Sequence, residues 1–157
     1  MPKLNINNIE IYYEEHGSGP AMLWAHGLGQ NLSDWNELVY FFENRYRVIT
    51  YDARGHGCSQ ILNSEDDYSQ DLMIADMLAL MNELSIDSAI VGGHSMGANV
   101  ALNFALRYPQ RCVIVIPVAI GTGSSDPVRW KKYWGKLADL AENNGIEAYV
   151  EGLRETP

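Results

Sequence analysis

The chain of 157 residues is 46% hydrophobic and 20% charged, with 14 glycines and 6 prolines; this composition fits one ordinary globular domain and excludes collagen-like, mucin-like and disordered chains. Eleven basic against twenty acidic residues leave a formal charge of −9, which repels phosphate backbones and anionic headgroups, so neither nucleic acid nor a membrane surface is an expected partner. The most apolar run, Val113 to Ile120, is eight residues long and broken by Pro117, far short of the roughly 18–20 residues of a membrane helix.

The start, Met1-Pro2-Lys3-Leu4-Asn5-Ile6-Asn7-Asn8, lacks the apolar core of a signal peptide. Cys58 and Cys112 make neither a disulfide framework nor a zinc-ligand spacing, so two free thiols, no metal site and a reducing, cytoplasmic location are expected. Leu4–Ile6 and Ile9–Tyr13 alternate around Asn7-Asn8, a pair suited to the positive φ of a tight turn, and predict an opening β-hairpin.

After the breaker cluster His16-Gly17-Ser18-Gly19-Pro20, Ala21–Ala25 runs apolar without alternation, as a strand covered on both faces does. Asp34 and Glu37 have the spacing of a capping box for a helix through about Asn44, and Val48–Tyr51 follows as a buried strand. From Ser69 to Leu84, Ile74, Met77, Leu78, Met81 and Leu84 recur at helical spacing, with Asp71, Asp76 and Glu83 on the other side. Ser88–Gly92 reads as a short strand, Met96–Leu106 as a helix and Cys112–Ile120 as another strand. The order of elements predicts an α/β fold, a mostly parallel sheet with helices on its faces. Composition shifts at Gly121-Thr122-Gly123-Ser124-Ser125, which reads as a linker, and Trp130, Tyr133, Trp134, Leu137 and Leu140 then give a partly helical apolar pattern.

The strongest chemical signal is Gly93-His94-Ser95-Met96-Gly97, a G-x-S-x-G placed where a predicted strand ends and a predicted helix begins. A sharp turn there forces the serine into a strained, exposed pose, and the glycines remove side chains that would clash. The helix N-terminus adds free N–H groups that stabilise a developing oxyanion. His26-Gly27-Leu28-Gly29 directly follows the third strand. Parallel strands deliver that loop to the same sheet edge, where the N–H of Leu28 can complete an oxyanion hole with the N–H of Met96. His26 reads as a brace for the loop.

Together with Asp52-Ala53-Arg54-Gly55-His56-Gly57-Cys58-Ser59 after the fourth strand, these motifs make residues 1 to about 123 resemble the amino-terminal part of an α/β-hydrolase, in the branch of small esterases, lactonases, carbon–carbon bond hydrolases and cofactor-free perhydrolases. The resemblance implies a serine hydrolase acting on a small carboxylic ester, lactone or related carbonyl compound. Ser95 would be the nucleophile, no cofactor is implied, and Asp52, Arg54 and His56 would be structural. It also implies a division into a core, 1–123, and the start of a helical cap, 124–157.

The family's triad runs Ser, then Asp or Glu, then His. Here all four histidines, His16, His26, His56 and His94, lie at or before the elbow, and none follows Ser95. Asp126 falls near one position the family uses for the acid. The resemblance therefore implies a truncated scaffold without its proton-transfer pair. It also implies an exposed edge at 113–120, through which the chain is expected to self-associate. The alternative is a non-catalytic binding or interaction protein built on the same fold.

Overall fold

The computed structural model describes residues 2–121 and 127–154, and only the backbone of Pro127, Arg129 and Trp130. The strands are β1 (Lys3–Ile6), β2 (Ile9–His16), β3 (Ala21–Ala25), β4 (Arg47–Tyr51), β5 (Ala89–His94) and β6 (Cys112–Val118). They form one sheet in the order β1-β2-β4-β3-β5-β6. β1 and β2 are an antiparallel hairpin, with Asn7 and Asn8 at φ 48° and 61° making its two-residue turn. β2 pairs antiparallel with β4, and β4, β3, β5 and β6 run parallel.

The helices are α1 (Asn36–Phe42), α2 (Gln70–Glu83), α3 (Met96–Arg107), α4 (Pro127–Asn144) and α5 (Ile146–Arg154). The lack of alternation in the central strands has a direct cause in the packing. Leu23 and Ala25 of β3 enter one core cluster with Ile74, Met77 and Leu80 of α2 and Phe104 of α3. Met22 and Trp24, the alternate residues, enter a second with Val39 of α1 and Val48 of β4. Both faces of the strand are therefore dry.

Two local expectations are corrected. Asp34 does not cap the helix: it lies within a 3₁₀ turn at Leu32–Trp35, which Asn31 caps by accepting from the Ser33 N–H, and α1 starts only at Asn36 with Trp35 at its N-cap position and no side-chain cap. Asp76 is not on the solvated side of α2. It is 2% exposed, and its carboxylate receives Arg54 Nε at 2.7 Å and Nη2 at 2.9 Å; a buried acid is tolerated only when it is paired in this way. Ser69 caps α2, accepting from the Leu72 N–H at 3.2 Å.

The strand expected over Cys112–Ile120 ends at Val118, because Ala119 turns away at φ 49°. β6 is an edge, with Val113 and Ile114 66% and 52% exposed. The chain divides into two compact units, Met1–Ile120 and Gly121–Pro157. In the second, α4 and α5 are joined at Gly145, whose φ of 84° suits a residue without a Cβ, and Leu137 packs beside Gly152. Among the described residues no helix is long and apolar enough to cross a membrane.

Candidate active site

β5 ends at His94, α3 begins at Met96, and Ser95 between them sits at φ 49°, ψ −106°. An L-residue held there costs on the order of 1–3 kcal/mol, a strain the surroundings must impose. They do so from both sides. The Ser95 N–H donates to the Val118 carbonyl of β6 at 3.0 Å. Its own carbonyl accepts from the Asn99 N–H at 3.1 Å and from Asn99 Nδ2 at 3.2 Å.

The end of β3 presses against this turn. A Cβ on Gly93 would lie 2.9 Å from the Ala25 carbonyl oxygen, and one on Gly97 would strike the Ala25 and His26 carbonyls. Only glycine at both positions allows so close an approach. The pairing Ala25↔Gly93 thus brings the loop after β3 beside the elbow.

In that loop the groups of Gly27 are fully engaged. Its N–H donates to Gln30 Oε1 at 2.7 Å, and its carbonyl accepts from His26 Nδ1 at 2.7 Å and from the Gln30 N–H at 3.2 Å. Among the described residues the N–H of Leu28 has no acceptor, and Leu28 is exposed. The N–H of Met96, which opens α3, has no intrahelical acceptor either. Two unspent amide donors therefore flank the serine in sequence and in the sheet.

His26 is 1% exposed. Nδ1 donates to a carbonyl and Nε2 accepts from the Ala53 N–H at 3.0 Å, an arrangement that requires the neutral ring. Burial lowers its pKa from the ordinary 6.5, against the opposing pull of the Gly27 carbonyl. His56 lies with its ring 5.0 Å from that of His26 and donates through Nδ1 to the Arg54 carbonyl at 3.0 Å. Asp52, buried, accepts from the Leu32 N–H at 2.8 Å and the Cys58 N–H at 2.7 Å, so this loop is braced from within. His16, on β2, lies between Glu14 and Glu43. Asp126 lies outside the described residues.

A cavity of about 350 Å³ opens at the elbow, lined by Gln30, Asp34, Trp35, His94 and Val118; its size suits a small molecule. His94 donates through Nδ1 to Gln30 Oε1 at 2.9 Å. Gln30, Asp34, Trp35 and Val118 were not legible as site residues. They come from a loop, a 3₁₀ turn and a strand end that no short motif links, and only the position of Gln30 three residues after Gly27 hints at its place.

Comparison with known proteins places this geometry. The family model described as the alpha/beta hydrolase fold matches residues 20–141. The chain is 31% identical over 147 residues to 3-oxoadipate enol-lactonase 2 of Acinetobacter baylyi, covering 91% of this chain and 52% of that protein. It is 32% identical over 155 residues to 2-(acetamidomethylene)succinate hydrolase of Mesorhizobium japonicum, covering 96% and 54%. The crystal structure of the enol-lactonase from Burkholderia xenovorans superposes with a TM-score of 0.85 at 27% identity, over 98% of this chain and 58% of that one. The chain spans about half the length of these two curated relatives. With a mostly parallel sheet, a strained serine at its carboxyl edge and a matching family profile over most of its length, the chain belongs to the α/β-hydrolase fold family.

Proposed function

We propose that the chain carries the nucleophile and oxyanion half of a serine hydrolase acting on a small carboxylic ester or lactone. The observation that carries this reading is Ser95 at φ 49° between two unspent amide donors, Leu28 and Met96. Such strain persists where structure over-determines it, and preorganised donors are the largest single contribution to acyl transfer. The similarity to an enol-lactonase and to a succinate-derivative hydrolase supports the same class.

In the reaction Ser95 Oγ attacks the carbonyl carbon and its proton passes to a base. The carbonyl oxygen, now negative, is held by the N–H groups of Leu28 and Met96. The C–O bond to the leaving alcohol breaks, the alkoxide takes a proton, and water releases the acyl group from Ser95. No histidine follows Ser95 in these residues, and the interactions of His26 and His56 tie both to the loop after β4. The reading therefore assigns neither of them as the base, and the test supplies one in solution.

The test is hydrolysis of p-nitrophenyl acetate by the purified chain, with imidazole supplied in solution as the base and Ser95→Ala as control. The reading expects imidazole to accelerate release by the wild-type chain beyond the control. Equal rates in the two proteins would overturn it.

A further inference from the structure

We propose that Gln30 is a positioning residue that clamps the oxyanion loop to the nucleophile elbow and fixes the tautomer of His94. This rests on the reading of Ser95, Leu28 and Met96 given above. One carboxamide oxygen serves two donors that are 67 residues apart in the chain: Gln30 Oε1 accepts from the Gly27 N–H at 2.7 Å and from His94 Nδ1 at 2.9 Å. The same backbone segment closes on itself through the Gln30 N–H to the Gly27 carbonyl. The amide orientation is dictated, because a backbone N–H needs an acceptor and only Oε1 is one.

The consequence for His94 follows from the same inventory. A carboxamide oxygen cannot donate, so the proton of this hydrogen bond sits on Nδ1, and Nε2, which has no partner among the described residues, is an acceptor whenever the ring carries a single proton. His94 and Gln30 both line the cavity at the elbow. The clamp therefore does two things at once. It engages the Gly27 amide, leaving that of Leu28 as the loop's donor, and it leaves a cavity-wall imidazole able to accept a hydrogen bond from a substrate hydroxyl or water.

Gly27 shows how tightly the three residues are packed. A Cβ there would strike Gln30 Oε1 and come within 2.9 Å of His94 Nδ1. The carboxamide occupies the place a side chain would take, and the loop cannot keep this approach with any other residue at 27.

The experiment is imidazole ¹⁵N spectroscopy of the 157-residue chain at neutral pH, comparing wild type with Gln30→Met and Gln30→Glu. Met keeps the length of Gln without an acceptor, and Glu keeps the acceptor. The proposal expects the Nδ1–H tautomer of His94 in the wild type and in Gln30→Glu, and a shift toward the Nε2–H tautomer in Gln30→Met, with the amide spectrum of the sheet unchanged. An Nε2–H tautomer in the wild type, a measurement that needs no variant, would overturn it. So would an unchanged His94 in a folded Gln30→Met.

The catalytic reading is tested separately by Ser95-dependent release of p-nitrophenol. A locked His94 without that release leaves the clamp standing and removes the reading beneath it. Release with an unlocked His94 removes the clamp alone. Where release is measurable, Gln30→Met should lower kcat by about 10- to 100-fold with KM little changed, the pattern of a misplaced oxyanion donor, and Gln30→Glu should retain the tautomer whatever its rate.

Discussion

The amide of Ser95 donates to the carbonyl of Val118 at 3.0 Å, so the strained serine is tied directly to the last residue of the edge strand. That bond also sets the phase of β6. Because a residue's N–H and C=O point the same way in a strand, the backbone groups of Val118, Ile116 and Ile114 point to β5 and those of Val115 and Pro117 to the open edge, while at Val113 the register shifts. The missing N–H of Pro117 thus costs the β5–β6 ladder nothing and shortens the row of donors an incoming strand could use.

An apolar edge with Val113 66% exposed and no charge in its seven residues is a template for pairing with a second copy. Sedimentation velocity should show concentration-dependent association of the wild-type chain. Val113→Lys should shift it toward monomer, since an edge lysine opposes strand pairing. A wild-type chain that stays monomeric across the concentration range would contradict this.

Arg54 and Asp76 are each 2% exposed and meet through two hydrogen bonds. Removing one partner leaves a buried charge without compensation. Asp76→Ala should therefore lower stability by about 3–5 kcal/mol in urea denaturation. The double variant Arg54→Met/Asp76→Leu should be less destabilised than the sum of the two single changes, which the same denaturation curves will show.

His26 gives a pH dependence whose sign follows from its burial. Its folded pKa lies below the ordinary 6.5, so between the two values the unfolded chain binds the extra proton and the folded chain does not. The stability that the neutral ring confers is complete above about pH 6.5 and is lost as pH falls through the folded value. Urea midpoints measured from pH 7.5 downward should fall more steeply for the wild type than for His26→Phe.

Much of this architecture is visible in the residues themselves. Ala21–Ala25 and Val48–Tyr51 read as doubly covered strands, and they are, because α1 packs on one face and α2 with α3 on the other. The elbow is legible because its physics is local: glycines at 93 and 97, a strand before and a helix after. What periodicity could not reveal depends on contacts across the chain. Asp76 has the helical phase of a solvated acid until Arg54, 22 residues away, arrives as its partner. The spacing of Asp34 and Glu37 suggested a capping box, but a 3₁₀ turn capped by Asn31 takes up Asp34, and α1 begins without a side-chain cap. Gln30 carries only the hint of its position three residues after Gly27, since its other partner His94 lies 64 residues on.

The central claim is that Ser95 is the nucleophile, and the most direct measurement is to find where an acyl group lands. The purified chain is incubated with p-nitrophenyl acetate and imidazole, quenched in acid, digested and mapped by tandem mass spectrometry. The account predicts acetyl on Ser95 ahead of every other hydroxyl, and none on the matching peptide of Ser95→Ala. Acetyl spread over surface lysines and hydroxyls, with Ser95 no more reactive than the rest, would contradict it.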